Sequence, residues 1–337
     1  MWQMYLIMFY LLLIFGSLVA ITSNSWLITW TGLEINLLAL MPLMSYLNNK
    51  QSSEATLKYF LVQALASAMF IFSSIFHSTF SEMNSIIINS TSSMSICMAL
   101  FLKIGAAPFH FWVPEVVSGS DWKINFIILT WQKLAPMMIM YSTMPNTTMM
   151  FMVILVSSIV SGIQGLNQTC MRKIMAYSSI SHSSWMISAI LVSLNLWLCY
   201  FIIYTIISII LMSVMYKYNI NYIKQMNKLF NNNKMIKLMF MLNFLNLGGL
   251  PPFLGFLPKW LIINDLVNNS LSILALMMIV FNLITLFFYI RIALSTYSTN
   301  SEESLIIFFK KTNNTFILIN SLSLSSLIMC TYIINYL

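Results

Sequence analysis

Charge is what this chain has least of. Only 7% of its 337 residues are Asp, Glu, Lys or Arg, arginine occurs only at Arg172 and Arg291, and glycine is held to 9 positions. A soluble domain carries roughly 25% charged residues to solvate its surface. A water-soluble enzyme is therefore excluded, and the 59% hydrophobic content points to a chain that crosses a membrane many times. Cysteine and histidine are also sparse. Cys97, Cys170, Cys199 and Cys330 stand singly, and His77, His110 and His182 fall in separate segments. The absence of any CxxC pair or metal-ligand spacing speaks against an iron–sulfur cluster or a helix-bridging haem.

A basic leader is missing as well. The first apolar run, Tyr5–Ile21, has no basic n-region and leads at once into a second run, so the first helix is expected to be retained. What the chain has in abundance is Met (28) and Phe (24), with much Ile, Asn and Ser. That profile fits an AT-rich, organelle-like coding sequence better than any structural demand.

Spans of about 20 apolar residues are needed to cross a bilayer, and that ruler predicts eleven: Gln3–Ile21, Ser25–Leu47, Ala55–Ser78, Met94–Trp112, Ile124–Thr143, Thr148–Leu166, Lys173–Val192, Asn195–Tyr216, Met235–Asn264, Ser272–Ser295 and Thr315–Tyr336. With this count Lys50, Arg172 and Lys173, the lysines Lys217, Lys224, Lys228, Lys234 and Lys237, and the pair Lys310 and Lys311 all fall on the N-terminal side. The positive-inside rule then places the N-terminus in the cytoplasm, or in the matrix of a mitochondrion, and the C-terminus across the membrane.

Two spans contain helix breakers. Lys103 precedes Gly105, Pro108 and Pro114 in the fourth, and Gly248, Gly249, Pro251, Pro252, Gly255 and Pro258 precede Lys259 in the ninth. Each is the fourth helix of a block of five. Because five is odd, successive blocks enter the membrane in opposite senses, the geometry of an inverted repeat whose broken helices meet near the midplane. The fold expected is an all-α polytopic membrane protein. Its first five-helix repeat spans 1–145, broken near 103–114, its second spans 146–298, broken near 248–259, and 299–337 hold a loop and a C-terminal transmembrane helix. Proline removes a backbone donor, so the breaks call for local hydration or polar side chains.

Four ionisable residues lie inside these apolar runs. An ionisable side chain at the bilayer centre costs roughly 2.5–3.5 kcal/mol on insertion scales, which argues for a charge-handling path. Glu34 is on the order of 12 Å deep in the second span, with helix-to-helix glue as the plainer reading. Lys103 lies at similar depth and is a candidate partner for Glu34. Lys133, between Trp131 and Pro136, sits near the midplane, and burial disfavours the charged form of a lysine enough to let it exchange protons. Lys259 depends on how the break is built, snorkelling being its alternative. His110 and His182 are possible relays. Glu54 and Lys58 read as an i,i+4 pair at a helix entrance. The segment Tyr216–Lys237 alternates lysines with apolar residues, as a segment on an anionic leaflet or against a soluble partner would.

The runs Leu33-Glu34-Ile-Asn-Leu-Leu, Glu54-Ala-Thr-Leu-Lys58-Tyr-Phe, Lys103-Ile-Gly-Ala-Ala-Pro108-Phe-His-Phe-Trp112, Trp131-Gln-Lys133-Leu-Ala-Pro136 and Gly248-Gly-Leu-Pro-Pro-Phe-Leu-Gly-Phe-Leu-Pro-Lys259-Trp260 resemble the antiporter-like subunits of NADH:ubiquinone oxidoreductase, respiratory complex I. The likeness covers nearly the whole chain, in order. It implies a proton-translocating subunit of the membrane arm in the mitochondrial inner membrane. Glu34 and Lys103 would be the coupling pair, Lys133 the central carrier and Lys259 the terminal one, with His110 and His182 as helpers. It implies no cofactor on this chain. NADH, FMN, iron–sulfur clusters and ubiquinone would sit on other subunits. Its partners would be the other membrane-arm and accessory subunits and phospholipids, cardiolipin among them, and no nucleic acid. Eleven spans would be a form shortened by three helices relative to bacterial members. The rival readings are a subunit of a stand-alone cation/proton antiporter, which shares fold and lysines, and a membrane scaffold indifferent to neutral replacements.

Overall fold

The computed structural model describes residues 2–46, 49–81, 86–143, 147–230 and 234–297. The expected C-terminal span, with Cys330, and the loop before it, with Lys310 and Lys311, lie outside the described residues. Among the described residues every regular element is an α-helix, and the sole β feature is an isolated bridge between Cys170 and Tyr222.

The chain forms two compact units, Met1–Ser157 and Ser158–Leu337. In the first, α1 (Trp2–Thr22), α2 (Trp26–Ser45), α3 (Lys50–Ser81) and α4 (Ile86–Ile104) are followed by α5 (Trp112–Gly119), α6 (Trp122–Leu129) and α7 (Trp131–Thr143). Next comes α8 (Thr147–Leu166). The second unit contains α9 (Met171–Val192), α10 (Leu194–Tyr218), α11 (Ile223–Phe230), α12 (Lys234–Gly248), α13 (Phe256–Asn268) and α14 (Ser272–Tyr297). Six of the helices, α1, α2, α3, α8, α10 and α14, are long and apolar enough to cross a membrane. Twenty residues of helix span about 30 Å, the thickness of the hydrocarbon core.

Local signals set the helix starts. Ser25 caps α2 by accepting from the Ile28 N–H, and Ser193 caps α10 by accepting from the Leu196 N–H, each satisfying a donor that the first helical turn leaves free. Small residues set one crossing. A Cβ on Gly32 of α2 would lie 2.6 Å from the Ala20 nitrogen of α1, and one on Gly16 would lie 3.0 Å from the Gly32 oxygen. The two backbones therefore touch, as small-residue packing between membrane helices allows.

The helix α9 is unlike the others. It is rich in serine and yet buried along almost its whole length. Ser178, Ser179, Ser181, Ser183, Ser184 and Ser188 each donate to the carbonyl three residues back, at 2.6–2.8 Å. A hydroxyl that satisfies itself on its own helix can enter an apolar interior without an unpaired donor.

The two expected interruptions are built from one local pattern. At the end of α4 the Phe101 carbonyl accepts from both Gly105 and Ala106, and Gly105 has φ +74°. At the end of α12 the Leu245 carbonyl accepts from Leu250, the Asn246 carbonyl from Gly249, and Gly249 has φ +76°. Only glycine enters that left-handed region without strain. Three residues past each glycine follows a cis proline, Pro108 or Pro252, and then Phe109 donates to Ala106 as Phe253 does to Leu250. The helices resume at Trp112 and Phe256, at equal spacing from the two glycines.

A third interruption is not visible in the hydrophobic runs. The expected fifth span, Ile124–Thr143, is two helices. α6 stops at Thr130, whose hydroxyl donates to the Phe126 carbonyl at 2.6 Å, and α7 restarts with Lys133 N–H donating to Thr130 O at 3.1 Å. A threonine that bonds back to its own helix competes with the backbone ladder, and Pro136 withholds a donor one turn further on.

Candidate functional site

In the first unit, Glu34 lies near the middle of α2, about two and a half turns past its cap. It is half-buried, and its Oε2 is shielded from solvent with no hydrogen-bond partner among the described residues. Lys103 lies in the last turn of α4 and is 5% exposed. The charge of Glu34 acts on Lys103 and on the buried Tyr59 of α3. Glu34 and Lys103 lie within electrostatic reach of one another without a direct ion pair.

Three of the carbonyls freed where α4 ends have partners. Phe101 O takes the Gly105 and Ala106 donors, Leu102 O accepts from Trp112 Nε1 at 3.1 Å, and Lys103 O accepts from Gln63 Nε2 at 3.3 Å. The last four carbonyls of a helix need such partners. Here they come from α3 and from the far side of the break, which fixes the lysine backbone. His110 sits inside the break, 3% exposed, with Nδ1 3.3 Å from Pro108 O and its ring 4.2 Å from that of Phe111.

Lys133 falls in the first turn of α7, directly after the Thr130 interruption, and is 3% exposed. Around it, Trp131 Nε1 and Gln132 Nε2 are buried without a hydrogen-bond partner among the described residues, as are Trp30 Nε1 and Asn36 Oδ1 near Glu34 on α2. A buried polar atom costs several kcal/mol unless it is hydrogen-bonded, so these atoms call for partners beyond the described residues.

The Glu54–Lys58 pairing expected from i,i+4 spacing is corrected. Lys58 Nζ donates instead to Glu115 Oε2 of α5 at 2.6 Å, with both side chains about half exposed, and Glu54 acts on Lys58 only as a weaker, more distant charge. The reason is the path of α5 along α3. A Cβ on Gly119 would lie 2.7 Å from Gln51 O, and this close approach brings Glu115 within reach.

In the second unit, Lys259 turns inward. It is 5% exposed, and its Nζ donates to Gly248 O at 2.9 Å and to Asn282 Oδ1 of α14 at 2.8 Å. Its third side faces the ring of Trp185 on α9, 5.7 Å away, as a cation over an aromatic face. His182 lies three residues before Trp185, hence on the same face of α9. Its Nδ1 meets the hydroxyl of Tyr200 at 2.7 Å, and its ring packs 4.9 Å from that of Tyr204. Tyr289 of α14 stands beside Ser178 and Ser181. Lys259 and His182 thus share one buried polar face of α9, while Glu34 and Lys103 lie in the first unit within electrostatic reach of one another.

Sequence reasoning missed Asn282, Tyr200, Tyr204, Gln63 and Trp112. Asn282 carried a usable signal, as an amide in the midst of an apolar span. Tyrosine and tryptophan are read too readily as interface anchors. Among the described residues no three His, Cys, Asp or Glu converge to hold a metal ion.

Comparison with known proteins places this geometry in context. Residues 23–285 match the family model described as NADH:quinone oxidoreductase/Mrp antiporter, transmembrane. NADH-ubiquinone oxidoreductase chain 2 of Anopheles gambiae is 41% identical over 333 residues, 96% of each chain. In structure the chain resembles one in respiratory complex I of Thermus thermophilus, with TM-score 0.84 and 22% identity over 95% of this chain and 78% of that one. It also resembles one in the Mrp complex of a Dietzia species, with TM-score 0.72 and 14% identity over 86% of this chain and 59% of that one.

Proposed function

The chain belongs to the NADH:quinone oxidoreductase/Mrp antiporter family of membrane subunits, in its NADH-ubiquinone oxidoreductase chain 2 branch, and from that premise we propose how it works. It is a core membrane-arm subunit of respiratory complex I in the mitochondrial inner membrane, a part of the proton-translocating NADH:ubiquinone reductase. Electron transfer from NADH to ubiquinone belongs to other subunits, where FMN and the iron–sulfur clusters reside, and this chain contributes proton translocation. Other membrane-arm and accessory subunits and phospholipids such as cardiolipin surround it.

The observation that carries the mechanism is a shielded carboxylate, Glu34, within electrostatic reach of a buried lysine rooted at a broken helix. A signal from neighbouring subunits that alters Glu34 alters how strongly Lys103 holds its proton. Lys133 and Lys259 are the proton carriers of the two units, with His110 and His182 as relays. The buried polar atoms around Glu34 and Lys133 support this reading, because such atoms are satisfied where water enters.

The finer architecture belongs to the same reading. Eleven spans form two inverted five-helix repeats, 1–145 and 146–298, with 299–337 supplying a last transmembrane helix. Supporting it, α4 and α12 end on the same hydrogen-bond pattern around a left-handed glycine, Gly105 and Gly249. The N-terminus then faces the matrix and the C-terminus the intermembrane space, as the basic loops favour.

Assembly separates this function from a stand-alone cation/proton antiporter. A complex I subunit migrates on native gels with NADH-oxidising activity in a very large complex. Migration in a smaller assembly without that activity would favour the antiporter.

A further inference from the structure

Among the described residues the Lys259 ammonium is held by neutral groups alone. Its two acceptors are the Gly248 carbonyl and the Asn282 amide, and among the described residues it forms no ion pair. Gly248 is an acceptor because α12 stops there, which frees its carbonyl and turns the negative end of the helix dipole toward the lysine. Asn282 has no such structural reason to be where it is. It stands in α14, among Phe281, Leu283 and Ile284, where an amide is costly unless it is used. Thr285, one turn on, donates its hydroxyl to the Asn282 carbonyl at 2.8 Å and lies 3.5 Å from the amide oxygen.

We propose that Asn282 is the positioning residue of the Lys259 carrier, an amide that holds the lysine against the α12 break in both of its protonation states. The inference rests on the reading of Lys259 as a proton carrier. An amide has an acceptor at one end and donors at the other. Toward the ammonium it presents Oδ1. When the proton leaves, the neutral amine gains a lone pair, and a half-turn of the amide brings Nδ2–H to it. A carboxylate in that place would hold the ammonium too firmly and leave an anion behind on discharge. A leucine would hold neither state, and the flexible lysine stem would wander.

The assembled complex, reconstituted in lipid vesicles, tests this through protons pumped per electron as a function of pH. Acceptors favour the charged form of a lysine. In Asn282→Leu the alkaline limb of pumping is expected to move to lower pH by about one unit, a tenfold change in the proton concentration needed. In Asn282→Asp it is expected to move to higher pH, with slower turnover as discharge becomes harder. Thr285→Val, close in shape, is expected to move the limb in the direction of Asn282→Leu by less, and it keeps the test open should the leucine variant fail to assemble. The ionisable groups on the elements around Lys259 are Arg172, Lys173, Tyr177 and His182 of α9, Cys199, Tyr200, Tyr204, Tyr216, Lys217 and Tyr218 of α10, Lys234 and Lys237 of α12, Tyr289, Arg291 and Tyr297 of α14, and Asp265 of α13 itself. All are unchanged in these variants, so opposite displacements isolate the amide. A packing role would move stability and leave the limb in place.

Alkaline limbs that coincide in the parent, Asn282→Asp and Thr285→Val complexes would overturn the role of Asn282, whereas Lys259→Met with undiminished pumping per electron would overturn the carrier reading beneath it as well.

Discussion

Gly249 and Lys259 can lie against one another only because Gly249 has no side chain. A Cβ there would stand 2.9 Å from the lysine Cδ and 3.1 Å from its Nζ, and the backbone at Gly249 has φ +76°. The residue that ends α12 is also the one that makes room for the buried ammonium. The break in the helix and the placement of the lysine are therefore one device, in which the interruption frees the Gly248 carbonyl that the lysine then occupies.

Gly249→Ala should expose that coupling. The left-handed backbone alone costs a non-glycine residue about 1–2 kcal/mol, and the added methyl must push Lys259 off its carbonyl. Lower thermal stability of the assembled complex is expected together with reduced pumping per electron. Gly248→Ala, whose Cβ would meet its nearest neighbour at an ordinary 3.4 Å, should be far milder on both measures.

Gly32→Ala tests the crossing of α1 and α2. The new methyl would lie 2.6 Å from the Ala20 backbone nitrogen and 2.8 Å from Gly16 O, and backbone cannot rotate away as a side chain can. Overpacking of this kind typically costs about 1–3 kcal/mol. Since Glu34 is two residues along the same helix, weaker assembly with a disturbed Glu34 environment is expected, read as a loss of intact complex on native gels after mild heating.

Tyr200→Phe removes the hydroxyl 2.7 Å from His182 Nδ1. The net loss of one hydrogen bond is about 0.5–1.5 kcal/mol, a modest change in stability. If His182 is a relay held in place by this bond, pumping per electron should fall well beyond what that loss of stability explains. Thermal midpoint and proton-to-electron ratio, measured on one preparation, separate the two effects.

Much of this could be read from the chain before any coordinates. Long apolar runs predict α1, α2, α3, α8, α10 and α14, because a membrane demands length and apolarity above all. The breaks after Lys103 and before Lys259 were legible because glycine and proline act locally. The Thr130 interruption was not, since threonine is common inside membrane helices and only its bond to Phe126 O shows that it ends one. Partners were the least legible part. Lys58 has a carboxylate four residues away in sequence, at Glu54, yet it pairs with Glu115, 57 residues on. Asn282 reaches Lys259 across 23 residues. Spacing along one helix says nothing about which helices meet.

The direct test of the central claim is protons pumped per electron in reconstituted complex carrying Lys133→Met, with assembly checked on the same sample. Methionine keeps much of the length and the apolar stem of lysine while removing the titratable ammonium. Intact assembly with pumping lost, and NADH oxidation either throttled or uncoupled from it, is the expected result. Normal assembly with an undiminished proton-to-electron ratio would contradict it and reduce the buried lysine at the α6–α7 break to a structural part.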